Sequence, residues 1–489
     1  MHVGMVLEMA ADGHGERIAL GSTAGGWTFA DLGHRSRRAG TTLAAAHGDR
    51  VVLVDQNSPA VPVALFGAAI AGKPFAPVSY RLPDERLRAI VARTAPATVI
   101  VGAGVADRLD GVAGIECVSR EDFLAAAADE AIAESDGWGC DPEATAVLLF
   151  TSGTTGEPKA AVLRHRNLAS YVVGSVEFGA AGVDEATLVS MPPYHIAAVA
   201  SVLSTVYSGR RVVQLEQFDP GDWVHAVRSE QVSHAMVVPT MLSRILDEID
   251  GDGGGLPSLR SLAYGGGPMP RSVVERALVA LPEVGLVNAY GLTETASTIA
   301  VLGPEDHRIA GAADAPAGRA RLGSVGRPLP GVEVSIRDAE GDPLPAGETG
   351  RIWVRGEQVS GEYEDEGPEL DDGWFDTRDA GRIDDDGFLY VEGRLDDVIV
   401  RGGENLSPGE IESVLVEHPG VAEAAVVAVP DEEWGERVAA VVVAAPDADV
   451  DAEALRSHVR ARLRSACTPE EELAGLAERQ LVHERDLLR

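Results

Sequence analysis

Two hydroxyl-rich, glycine-rich stretches and one lysine carry most of the chemistry in this chain. The run Phe150-Thr151-Ser152-Gly153-Thr154-Thr155-Gly156-Glu157-Pro158-Lys159 follows the apolar Ala146–Leu149, which reads as a strand feeding a loop. Glycines let successive backbone N–H groups converge on one anion. Thr151, Ser152, Thr154 and Thr155 add hydroxyl donors, and Lys159 a point charge. That set is a phosphate cradle, with a flexible Gly/Thr turn as the bland alternative. It is not a Walker A loop, whose lysine directly follows the last glycine, because Glu157 and Pro158 intervene. The second stretch, Asn288-Ala289-Tyr290-Gly291-Leu292-Thr293-Glu294-Thr295, offers a flat aromatic face beside a glycine that admits a ligand closely. Thr293 suits a phosphoryl oxygen, and Glu294 is a hard oxygen ligand suited to Mg²⁺. Taken alone it is also a strand exit with a helix cap.

A third cluster, Trp374-Phe375-Asp376-Thr377-Arg378-Asp379-Ala380-Gly381 followed by Gly393-Arg394-Leu395-Asp396-Asp397, pairs a carboxylate with a guanidinium. Asp379 can accept two ribose hydroxyl protons, and Arg394 can support it by a charge-assisted bond. Fourth is Arg401-Gly402-Gly403-Glu404-Asn405-Leu406-Ser407-Pro408-Gly409-Glu410. Its Ser-Pro pair and early acid mark a helix start, and its glycines leave a channel unobstructed. His195, in Pro192-Pro193-Tyr194-His195, is a single histidine, and such a residue is more often structural than catalytic.

The elements that must position these groups alternate. Short β-rich runs (49–55, 97–101, 211–215 and 234–238) interleave with helical patterns such as 61–71, which implies parallel sheets covered by helices. After Gly323–Gly331, the runs 332–337 and 349–355 read as antiparallel strands of a small β subdomain. From Gly393 a compact α+β unit begins: a strand at 398–400, a helix over 407–418, and strands at 421–429 and 437–443.

Together these stretches, in this order from about Glu16 to Val443, resemble the adenylate-forming (ANL) superfamily of acyl-CoA synthetases, nonribosomal adenylation domains and luciferases. The resemblance implies an α/β fold: a large N-terminal domain of parallel α/β subdomains plus a small β subdomain (1–395), which binds AMP and the acyl group. It would be hinged at Asp396 to a small, mobile α+β C-terminal domain (396–489). It also implies ligands: ATP or an acyl-adenylate, a small-molecule carboxylic acid, coenzyme A, and Mg²⁺ where adenylation occurs. Phosphate and nucleotide contacts would come from Thr151, Ser152, Gly153, Thr154, Thr155, Gly156, Lys159, Tyr290 and Thr293, with Glu294 on the metal. Gly266, Gly267, Ala289 and Gly291 would flank adenine and the acyl slot, leaving room for a bulky or rigid acid. Asp379 and Arg394 would hold the ribose, although the family usually places glycine where this chain has Arg378. His195 would gate the carboxylate. Arg401, Gly402, Gly403, Glu404 and Trp434 would line the path of CoA, with Gly403 and Glu404 at the point of thiol entry.

The resemblance breaks at the end of the chain. Adenylating members close with a Thr-Gly-Lys-x-x-Arg loop whose lysine reaches the carboxylate and α-phosphate. Here the ending is Glu484-Arg485-Asp486-Leu487-Leu488-Arg489, with Asp486 at the lysine's place. The chain has only two lysines, Lys73 and Lys159, against 39 arginines, so none follows Lys159. An arginine replaces the charge but not the compact, directed ammonium. The expectation is therefore an acid–thiol ligase specialised for acyl-AMP plus CoA, fed by a separate adenylating ligase. A complete two-step synthetase using an arginine and a catalytically silent adenylate binder are the alternatives.

Composition narrows the partners. A net charge of −36 argues against nucleic acid or an anionic membrane surface. The longest apolar stretch, 61–72, contains Pro62 and is too short to span a bilayer. No basic-then-apolar leader opens the chain, and Cys117, Cys140 and Cys467 lack metal spacing, so a reduced cytoplasm is the expected setting. A homodimer is compatible with all of this.

Overall fold

The computed structural model describes residues 1–135, 137, 141–151, 158–252, 255–313, 316–394, 399–401, 404–406, 408–431, 434–445, 448, 450–463, 467–469 and 471–474. Two large sheets, of nine and eight strands, share one core. The helix Ala60–Ala71 explains why they can: all but its last residue are buried. A helix that is apolar all round belongs inside, and its side chains, with those of Phe29–Ala45 and Ile196–Tyr207, fill the space shared by both sheets. The parallel pairing expected from the alternation holds through most of both sheets, as at Arg50–Val54 against Ala97–Val101. It fails where the chemistry sits. Thr145–Thr151 pairs antiparallel with Lys159–Arg164, and Gly285–Leu292 antiparallel with Ser297–Leu302. The reason is local: each pair is joined by a connection too short for the helical crossover that parallel strands need.

The small β subdomain is an antiparallel sheet in which Gly350–Arg355 lies between Glu333–Arg337 and Trp374–Ile383, with Leu389–Arg394 on the far side of the last. The C-terminal unit pairs Ile399–Arg401, Glu404–Leu406, Val421–Asp431 and Gly435–Ala444 antiparallel. The helices Pro408–Val416 and Ala452–Arg460 contribute Ile411, Leu415, Leu455 and Val459 to the core of this unit. The overall architecture is thus a large α/β domain plus a smaller C-terminal α+β unit, as the resemblance implies. No helix among the described residues is long and apolar enough to cross a membrane.

Candidate active site

A cleft of about 800 Å³ opens where the large sheets, the small sheet and the C-terminal unit meet. Its floor comes from strand ends, the usual ligand position in open α/β sheets: Thr151, Lys159, Gly266, Gly267 and Gly291–Glu294. Asp376–Arg378 and Arg394 form a wall from the small sheet, and Glu412 and Glu423 face them from the C-terminal unit.

Thr151 and Lys159 are directly paired across the two antiparallel strands, Thr151 Oγ1 lying 3.4 Å from the Lys159 carbonyl oxygen. The loop between them, with Ser152, Gly153, Thr154, Thr155 and Gly156, lies outside the described residues. Lys159 donates to Glu366 Oε2 at 2.6 Å, stands 3.8 Å from Glu369 Oε1, and sits 5.0 Å above the Tyr363 ring. Tyr363 in turn donates to Glu294 Oε1 at 2.5 Å. Burial, then the Glu294 charge beside it, pushes the Tyr363 hydroxyl pKa far up, so this phenol stays a donor. Lysine, tyrosine and glutamate thereby form one continuous polar line along the cleft. The sequence pointed to Lys159 and Glu294 but not to Tyr363, in the short strand Glu362–Tyr363, or to Glu366 and Glu369 beyond it; no local pattern marks these residues.

Glu294 itself is 8% exposed, and its carbonyl accepts the N–H groups of Ser360 at 2.8 Å and Gly361 at 3.1 Å. Among the described residues no group of three or more His, Cys, Asp or Glu gathers to hold a metal. Magnesium commonly takes one or two protein carboxylates and completes its shell with phosphates and water. One buried carboxylate at the cleft therefore fits an ion that arrives with a nucleotide.

Asp379 and Arg394 face each other in register across neighbouring strands, Arg394 Nε lying 3.1 Å from Asp379 Oδ1. Tyr290 donates its hydroxyl to Asp379 Oδ2 at 2.5 Å. Burial raises the Asp379 pKa and the Arg394 charge opposes it, the net direction being upward. Burial and the adjacent carboxylate hold the Tyr290 hydroxyl well above its ordinary range. Tyr290 thereby positions the Asp379 carboxylate. Its ring packs against the core of the small sheet.

The glycines divide into two kinds. At Gly266 (φ +79°) and Gly267 a Cβ would meet protein no closer than 3.6 and 3.9 Å, so any side chain there would take up space in the cleft. Gly291 also lines the cleft, yet the obstacle is the backbone: a Cβ would sit 1.8 Å from the Ser297 carbonyl oxygen, at a register shift between strands. Gly291→Ala is accordingly expected to destabilise by about 3 kcal/mol, read as a shift in denaturant midpoint. An unchanged midpoint would show that the strand relaxes freely there. Ala289 lies one layer deeper, in register with Gly265 and Val301. The helix Ile196–Tyr207 begins just after His195, whose ring stands 4.7 Å from that of Tyr194 at the cleft wall. His195 is exposed to the cleft, yet neighbouring protein atoms displace part of its water. That desolvation, with the Arg81 charge second, lowers the His195 pKa, so the ring is neutral near pH 7.

On the C-terminal unit, Arg401 stacks over the Trp434 ring at 5.7 Å, and Trp434 is 46% exposed. The pairing of Arg401 with Gly435 brings these two together. Gly402, Gly403 and Asp396, the residue expected at the hinge, lie outside the described residues, as does the Glu404 side chain.

The model of the AMP-binding enzyme family matches residues 7–364, and that of its C-terminal domain residues 410–477. The chain belongs to the AMP-binding enzyme family. Within it, the similar proteins include several acyl-CoA ligases. A feruloyl-CoA synthase of an Amycolatopsis species is 34% identical over 466 residues, covering 93% of this chain and 91% of that one. Among solved structures, the o-succinylbenzoate CoA synthetase of Bacillus subtilis, in complex with its acyl-adenylate intermediate, superposes with a TM-score of 0.84 at 28% identity. That match covers 96% and 95% of the two chains. The amide bond synthetase McbA of Marinactinospora thermotolerans gives a TM-score of 0.82 at 31% identity, over 97% and 96%. AMP-binding enzymes of this kind thus match the chain along nearly its whole length.

Proposed function

We propose that this protein transfers the acyl group of an acyl-adenylate to coenzyme A and makes that adenylate poorly, a separate ligase supplying it. The observation that carries the reading is that no lysine follows Lys159 in these 489 residues and that Asp486 stands at the place expected for one, so no residue after Lys159 supplies an ε-ammonium to direct at the carboxylate and α-phosphate. In the transfer the CoA sulfur, as thiolate, attacks the acyl carbonyl carbon. The bond from that carbon to the phosphate oxygen breaks, AMP leaves, and the thiol proton passes to solvent. Asp379, aligned by Tyr290 and Arg394, would hold the ribose. Lys159, Thr151 and Thr293 would take phosphate oxygens, and neutral His195 would close off the carboxylate end. Glu294 would hold Mg²⁺, which, when bound, neutralises phosphate charge. Arg401 stacked on Trp434 supports CoA over an amine as acceptor, since a guanidinium beside an exposed indole suits a phosphate and an adenine. The reading includes a C-terminal domain from residue 396 that pivots at Asp396 between orientations, with Gly402, Gly403 and Glu404 turned to the thiol in one of them.

The second reading is a complete two-step synthetase using an arginine, favoured by the likeness to the Bacillus subtilis synthetase, which is also known with ATP and magnesium. Pyrophosphate exchange into ATP by the isolated protein separates the two. The proposal expects none above background with aromatic, aliphatic or long-chain acids, together with thioester formation from matching acyl-adenylates. Robust exchange would establish the two-step enzyme. Tight adenylate binding without CoA-dependent turnover would instead make the protein a silent binder.

A further inference from the structure

Arg378 stands where glycine is usual, and its backbone is that of a glycine. Its φ is +60°, a left-handed conformation that disfavours side chains with a Cβ. The turn is fixed by its own N–H, which donates to Asp376 Oδ1 at 2.9 Å. Strain of this kind persists where the side chain has a use. That side chain lines the cleft and reaches Glu369, Nη2 to Oε2 at 3.2 Å. The other oxygen of the same carboxylate, Oε1, lies 3.8 Å from Lys159 Nζ. Two cations that line the cleft, one beside the Thr151–Lys159 strand pair and one from the small sheet, thus flank the Glu369 carboxylate, with Glu366 held on Lys159 at 2.6 Å.

We infer that Arg378 and Lys159 form a two-pronged cationic clamp for the phosphate oxygens of the bound nucleotide, and that the Glu369 carboxylate holds the clamp's place in the free protein. The inference rests on the adenylate-binding reading above. Both prongs belong to the N-terminal region, so the clamp would hold phosphate whatever the orientation of the C-terminal unit, in a chain whose tail carries no lysine. A guanidinium presents paired N–H donors that match two phosphate oxygens.

The test is calorimetric titration of wild type, Arg378→Gly, Arg378→Lys and Glu369→Gln with adenosine, AMP and MgATP. Arg378→Gly is expected to melt no lower than wild type, since glycine accepts the backbone without strain. Its affinity for AMP or MgATP should fall about tenfold, as for loss of one charge-assisted contact, while that for adenosine stays within about twofold. Arg378→Lys should recover part of the loss, and Glu369→Gln should bind the phosphorylated ligands more tightly. Unchanged AMP and MgATP binding in Arg378→Gly would overturn the clamp alone. A parallel loss of adenosine binding would reveal a merely structural arginine and overturn it too. Wild type that bound none of the three would overturn both the clamp and the adenylate-binding reading.

Discussion

Thioester formation from free acid, ATP and CoA is expected to run about 10²–10³-fold more slowly than formation from preformed acyl-adenylate and CoA. The factor is that of one missing preorganised electrostatic donor. Adenylation brings a carboxylate against a phosphate, two anions whose repulsion must be relieved at the point of bond formation. Lys159 donates to Glu366, and no other lysine follows it in these 489 residues. Transfer starts from a carbonyl that is already activated and needs a clear path for sulfur more than a cation at the carboxylate. Initial rates at saturating substrates measure the ratio, and near-equal rates would refute the division of labour. Asp486→Lys should raise the ATP-dependent rate and leave transfer from the adenylate unchanged.

Asp379→Asn is expected to weaken AMP binding about 10–100-fold, the range for a hydrogen bond to a charged group, without lowering thermal stability at neutral pH. The sign follows from the raised pKa. Because the folded state holds the Asp379 proton more tightly than the unfolded chain does, this group's contribution to stability is fully present below the unfolded pKa. It is lost as pH rises through the folded value. At pH 7 the buried carboxylate therefore costs stability, and the amide removes that cost while still accepting from Tyr290. Nucleotide affinity of the wild type should likewise decline as pH drops into the range where Asp379 takes up its proton. Isothermal titration between pH 5 and 8, paired with melting curves, gives both readings. A variant that lost stability while binding AMP normally would mark Asp379 as structural.

The groups that were legible in the sequence are those held by neighbours close in the chain. Lys159 and Thr151 sit opposite each other because a short loop joins their strands. Asp379 and Arg394 meet because a hairpin places them in register. The helix at 60–71 was visible as an unbroken apolar run. Contacts that depend on how distant segments pack were not legible. Tyr363 reaches Glu294 across 69 residues and Glu366 reaches Lys159 across 207, and neither residue belongs to a periodic pattern. The reason for Gly291 also escaped, because the obstructing oxygen of Ser297 belongs to the next strand of the same sheet. The antiparallel edges of the large sheets were missed for a related reason. Short connections there reverse the chain where hydrophobic patterning alone suggested a crossover.

Scarcity of lysine has a chemical corollary. An acyl-adenylate is a mixed anhydride, and such compounds modify any unprotonated primary amine that drifts within reach. Of the two ε-amines in this polypeptide, that of Lys73 is tethered to the carbonyl oxygens of Leu43 and Ala46 at 2.7 and 3.0 Å. That of Lys159 is tied to Glu366 as a cation. A surface furnished with guanidinium groups instead offers such an intermediate few ε-amines to acylate.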